Sequence, residues 1–346
     1  MANQAEQKKV SWKTRLARLA PYLVAAGALY WVFRTTDLAE LKKVITHAPL
    51  ALFISVSAAM LVLNCAADVF AMGRVFSWFG VKIPFRELYV VRASTYLIAI
   101  VNYHVGQAAL AGYLYRARRV PPLRASGMIL FIIGINVGTL FLLASGGAAR
   151  GGTGGLRVLR LVPFICAVGV LFYGAILLAK PRIIAERRLF APLFEMGIRG
   201  HIFGVLVRLP HVFVLMAWHF ASLRMFGIQV TPGAAVLYLP VYFAVTSLPG
   251  NVSGLGPAQG VAIALFSQFV TPPDGLTDPK LIAAAQHASV VAYSVATSTV
   301  SIILQLGLGL MFLRRGTALG LSTHPEELPE PPPEKSTTDE RLSSPT

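Results

Sequence analysis

Apolar positions run in long blocks along this chain, and polar or Pro/Gly-marked breaks separate them. Six blocks, at about 17–33, 48–73, 125–145, 161–179, 201–226 and 281–313, have the length and apolar content of a membrane span. A helix rising 1.5 Å per residue needs ~20 residues to cross. The first block is short and is expected to start earlier, along Trp12 to Leu19. Two further apolar stretches, 88–115 and 233–270, are interrupted. One bends near Asn102-Tyr103-His104. The other breaks within Leu248-Pro-Gly-Asn-Val-Ser-Gly-Leu-Gly-Pro-Ala-Gln259. There Gly250, Gly254 and Gly256 free the backbone, and Pro249 and Pro257 remove donors. Irregular backbone at membrane depth is tolerated only where protein buries it or it lines a wet cavity. The break at 248–259 is therefore the best pointer to a site, ahead of the softer one near 102–104.

Composition agrees with a membrane protein. Of the 346 residues 55% are hydrophobic and 13% charged, and mean hydropathy is +0.64. Soluble domains carry roughly 25% charged residues. The net charge is +16. On a membrane protein such an excess reflects topology and contact with anionic lipid. No nucleic-acid-binding motif accompanies it. Cys65 and Cys166 both fall inside apolar blocks, so neither a disulfide nor a metal spacing is expected. No cofactor is expected. Beyond Leu321 the chain becomes rich in Pro, Glu and Ser and reads as a disordered tail. The organisation is thus a basic N-terminus at 1–16, a membrane domain at 17–315 and a tail at 316–346.

Charge sets the expected topology. Residues 1–18 are basic, as are 74–92 (Arg74, Lys82, Arg86, Arg92) and 116–124 (Arg116, Arg118, Arg119, Arg124), so all three read as cytoplasmic. The stretch 88–115 then starts and ends on one side. Its 28 residues fall short of the ~40 that two crossings need. It reads as a re-entrant hairpin. The loop 271–280, with Asp274 and Asp278 against Lys280, reads as external, and 233–270 becomes a second hairpin from the opposite face. Arg150, Arg157 and Arg160 in an outer loop run against this scheme. The expected fold is an all-α membrane protein: about six transmembrane helices plus two oppositely oriented re-entrant hairpins in an inverted repeat. Both termini are expected to be cytoplasmic, and the cell inner (plasma) membrane is the expected location. Asn102-x-x-x-Gly106-Gln107 and Asn251-x-x-x-x-Gly256-x-x-Gln259 echo one another.

The candidate lipid-binding residues are Asn102, His104, Gly106, Gln107, Asn136, Arg208, Asn251, Ser253, Gly254, Gly256 and Gln259. Half-helix N-termini after each break can face an anionic headgroup, with Asn251 or Ser253 as caps. Gln107 and Gln259 can bind a headgroup or tie helices together, the commoner role of buried amides. Asn64, Asn136 and Gln286 are expected to do only the latter. His104, His211, His219 and His287 can carry protons or simply pack. Arg208 can snorkel to the inner interface or touch a phosphate. Asp68, deep in a span, is expected to pair with Arg74 or to lie near the inner surface.

At residues 248–259 the sequence resembles the membrane domain of the lysylphosphatidylglycerol synthase/flippase family, which reads Leu-Pro-x-x-x-Gly-Gly-Leu-Gly-x-Arg-Glu. Leu248, Pro249, Gly254, Leu255 and Gly256 match, Ser253 replaces a Gly, and Ala258-Gln259 replace Arg-Glu. The first hairpin is similar to the family's Gly-Glu-x-x-Arg turn, with Gly106 matching, Gln107 for Glu and Leu110 for Arg. The likeness covers about residues 15–315. It implies a lipid flippase fold without the aminoacyl-transferase domain, so lysyl transfer is not expected. Because Leu130 to Asn136 lacks the charges that relatives carry, the chain reads as having lost most intramembrane charge.

The resulting expectation is a non-enzymatic protein that moves or binds an amphipathic lipid through a midplane cavity. Its partners would be membrane lipids, an anionic phospholipid or a lipid-linked intermediate. The rival reading is an accessory subunit of a membrane glycosyltransferase or lipid-modifying enzyme. A metal hydrolase using the histidines has no HExxH or triad spacing behind it.

Overall fold

The computed structural model describes residues 46, 48–100, 103–149, 157–247, 257–272, 275 and 277–321. Every regular element among them is helical. In chain order these are α1 (Leu50–Trp78), α2 (Phe85–Ala99), α3 (Tyr103–Arg118), α4 (Pro122–Ala149), α5 (Val162–Ala179), the short α6 (Arg182–Ala185), α7 (Ala191–Met225), α8 (Pro232–Thr246), α9 (Pro257–Phe266) and α10 (Pro279–Leu321). Five of them, α1, α4, α5, α7 and α10, are long and apolar enough to cross a bilayer. The chain is a multi-pass membrane protein. The span expected at 17–33 lies outside the described residues, as do residues 322–346.

Proline opens many of these helices. Pro122, Pro232, Pro257 and Pro279 each stand first in their helix, where an N–H would have no partner anyway. Thr231 caps α8 by accepting from the Ala234 N–H at 3.3 Å. Helix ends differ from the sequence expectation in α7 and α10. α7 begins at Ala191 and is bent at Gly197, whose φ of 55° only glycine adopts freely. α10 continues past Arg314 and Arg315 to Leu321, six residues into the stretch expected to be tail. At 43 residues its rise of ~65 Å exceeds a ~30 Å hydrocarbon core.

The interrupted stretches form two helical hairpins. In the first, Ala99 meets Gly106 at the tip, while Glu87 accepts from both Tyr113 and Arg118 at the base. α2 and α3 are therefore antiparallel, and residues 85 and 118 lie at one end. In the second, Tyr238 packs on Phe269 and Tyr242 on Phe266. Its base is closed by the Ile228–Val270 bridge and by Gln229 N–H donating to the Phe269 carbonyl at 2.8 Å.

The turns leading into the two hairpins share one geometry. Gly80 (φ 79°) and Gly227 (φ 77°) are left-handed. Gly80 N–H bonds to Ser77 O and Val81 N–H to Phe76 O; Gly227 and Ile228 make the same pair with Arg224 and Leu223. Both helices thus end in a Schellman motif, where a Cβ would be strained.

Packing crosses between the halves. A β-carbon on Gly147 of α4 would sit 2.8 Å from Leu237 of α8. One on Gly309 of α10 would sit 2.6 Å from Leu97 of α2, and Gly316 is pressed on Ser94. Small residues let backbones approach where lipid supplies no hydrophobic drive. Two apolar cores result. One gathers α1, α2, α3 and the first part of α4. The other gathers α7, α8, α9, the first part of α10, the end of α4 (Leu140, Ala144, Ala148) and Phe53 of α1. Outward faces remain apolar and uncovered, with Phe164, Leu171 and Phe172 of α5 and Met311 of α10 strongly exposed, as a lipid-facing surface requires.

Candidate functional site

α1 turns Leu61, Cys65, Asp68, Met72 and Phe76 to one buried face, the three-and-four spacing of a helix stripe. A carboxylate therefore sits in the middle of an apolar seam, 1% exposed. Burying an ion there is tolerated only with charged partners and good hydrogen bonds. Asp68 has both. Arg92 of α2 donates through Nε to Oδ2 at 2.6 Å, and its guanidinium also lies 5.3 Å from the Tyr96 ring centroid. Arg208 of α7 donates through Nη1 to Oδ1 and through Nε to the Asn136 Oδ1 of α4 at 3.0 Å. His211, one turn on from Arg208, has its Nδ1 3.3 Å from the Asn64 carbonyl and 4.0 Å from Asp68 Oδ1. Both arginines are buried.

The network ties four helices, α1, α2, α4 and α7, and lies beside the core built on α1 to α4. Gly204 lets α7 close on Ile135 of α4. A cavity of about 10 Å³ opens beside Arg208, lined by Ala71, Val75, Ile132, Ile135 and Gly204. Pro210 withdraws an N–H from the α7 ladder next to the network.

Compared with family models, curated proteins and solved structures, the chain matches none.

The charged residues differ from the sequence expectation. Asp68 does not pair with Arg74; its partners are Arg92 and Arg208. Arg208 does not snorkel to an interface, because its guanidinium points at a buried carboxylate and is covered on all sides. A buried charge cluster stands on α1, α2 and α7, where the sequence reading expected little charge inside the apolar blocks. Arg92, expected among the inner-loop charges, is a core residue.

The other candidates lie apart from this network. Gly106 holds the tip of the first hairpin, with a β-carbon there placed 2.8 Å from Ala99. Gln107 and Gln259 are buried, and neither amide nitrogen nor amide oxygen of either has a hydrogen-bond partner. His104 is on α3. Asn102, Asn251, Ser253, Gly254 and Gly256 lie outside the described residues. Gln286 ties α10 to the Val270 carbonyl at 3.0 Å. His219 bonds to Tyr293 Oη at 2.6 Å within an aromatic cluster. Among the described residues no group of three or more His, Cys, Asp or Glu is placed to hold a metal.

Proposed function

We propose that this protein binds and translocates an amphipathic lipid with an anionic headgroup, and that the Asp68 network is the element that opens and closes. The observation that carries this reading is the buried carboxylate held by arginines from a hairpin limb and from the opposite half. Intramembrane charge is costly and marks pathways and switches. A headgroup phosphate offers the guanidiniums the same kind of oxygen acceptor as Asp68 does. Exchange of one for the other would free α7 to move against α1.

The pairing of helices supports an inverted repeat as the frame for such motion. Exchanging α1 with α7, α2 with α8, α3 with α9 and α4 with α10 turns the Gly147–Leu237 contact into the Gly309–Leu97 kind. It also maps one Schellman turn onto the other. The two hairpins would then be re-entrant and enter from opposite faces, with their breaks near the midplane. On this reading the chain is a divergent relative of the lysylphosphatidylglycerol synthase/flippase membrane domain, in an inner membrane with cytoplasmic termini.

The test is translocation of fluorescent phosphatidylglycerol in proteoliposomes. The expected result is movement by the parent protein and loss of it in Asp68→Asn. A folded Asp68→Asn protein with full activity would remove the network from the mechanism. Lipid binding without movement by the parent protein would favour the accessory-subunit role.

A further inference from the structure

We infer that Gln107 and Gln259 recognise the uncharged, hydroxyl-bearing part of a lipid headgroup, a glycerol or sugar; this rests on the lipid-handling function proposed above. Each glutamine lies near the start of the second limb of its hairpin. Exposures are 2% and 1%, and all four amide heavy atoms lack a hydrogen-bond partner. Roughly 90% or more of buried polar groups in proteins are paired. Two whole carboxamides left over, one per hairpin, are not a packing requirement, since leucine would fill the same space.

Contacts along α10 place both glutamines beside its middle stretch. Phe266 of α9 packs on Tyr293, and Val270 accepts from Gln286. α9 therefore runs antiparallel to α10, and Gln259, two turns back from Phe266, falls level with roughly Thr297 to Val300. On the other side Ser94 meets Gly316 and Leu97 meets Gly309. The Ala99–Gly106 contact then sets Gln107 level with roughly Leu308 to Phe312. The separation along α10 is about two to four turns, ~12–22 Å. Thr297, on the same stretch, is buried with its hydroxyl oxygen also unpartnered.

The chemistry of the groups selects the ligand. A carboxamide donates through nitrogen and accepts through oxygen, without net charge. A phosphate would satisfy only the nitrogen and an ammonium only the oxygen. A hydroxyl does both, and adjacent hydroxyls can satisfy both ends of one amide. The arginine network would serve the phosphate, and the glutamines the polyol.

The experiment measures binding of three lipids to the whole protein in detergent by native mass spectrometry. Phosphatidylglycerol and phosphatidylmethanol carry the same charge and differ in headgroup hydroxyls; monoglucosyl diacylglycerol has hydroxyls without charge. The parent protein should prefer phosphatidylglycerol over phosphatidylmethanol by about tenfold, the scale of one or two net hydrogen bonds, and should bind the glucosyl lipid. Gln107→Leu and Gln259→Leu should each lose most of that preference while phosphatidylmethanol affinity stays put. Equal binding of phosphatidylglycerol and phosphatidylmethanol by the parent protein overturns the inference and leaves lipid handling standing, and this arm needs no variant to fold. Leucine variants that keep the preference intact also overturn it, by showing that the amides take no part in recognition. Binding of none of the three lipids overturns the function on which it rests. Competition by millimolar free glycerol or glucose would support the polyol chemistry and assign it to a soluble source.

Discussion

Asp68 concentrates the energetics of this protein in one carboxylate. It neutralises guanidiniums from two helices, and all three charges are out of solvent. Removing one member of such a group leaves the others charged and unpaired, at a cost of about 3–5 kcal/mol. Asp68→Asn should therefore lower the melting temperature in detergent sharply, and more than Glu195→Gln, which breaks the exposed pair with Arg124, worth about 0–1 kcal/mol. The triple replacement Asp68→Leu/Arg92→Met/Arg208→Met should recover most of the lost stability, because a matched apolar set has no desolvation penalty. It should not recover lipid translocation. Recovery of both, measured by melting and by vesicle assay, would make the network a structural relic. The network was half legible in the sequence. An acid in the middle of an apolar block demands cations at matching depth. Arg208 stood out by its position, but Arg92 was hidden in a stretch of interface-like charges, and only folding α2 against α1 sets it beside Asp68.

At the scale of elements, the apolar blocks were readable because a bilayer imposes length and composition together. The start of α7 was not, since Ala191–Met196 is joined to the main helix through a left-handed Gly197. A stronger internal echo than the glutamine pair was also present: Phe79-Gly80-Val81-Lys82-Ile83-Pro84 and Phe226-Gly227-Ile228-Gln229-Val230-Thr231-Pro232. Each writes the same helix stop, left-handed glycine and proline start into the chain. Close helix approach depends on other glycines. Gly147→Val would drive a side chain into Leu237 and should destabilise the protein or block its accumulation. Gly112→Val, on the exposed side of α3 with nothing within 4 Å, should be tolerated. Equal yields and melting temperatures for the two would mean that α4 and α8 are not tightly joined.

For the whole molecule, the exchange of packing partners between halves makes a definite claim about sidedness. The base of the first hairpin is fixed by Glu87 with Tyr113 and Arg118, and that of the second by the Ile228–Val270 bridge. If the halves are inverted, these bases face opposite sides of the membrane. The arginines around 116–124 argue for an inner first base, and Asp274 and Asp278 for an outer second one. Single cysteines at Arg119 and Thr271, both exposed, report directly on this, in a background with Cys65 and Cys166 replaced by serine or alanine. A membrane-impermeant maleimide added to intact cells should label Thr271→Cys and spare Arg119→Cys, and opening the cells should expose Arg119→Cys. Labelling of both from one side would overturn the inverted arrangement. The lipid path would then have to lie within a single half, and the cross-packing of α4 on α8 and α10 on α2 would be left as a purely structural device.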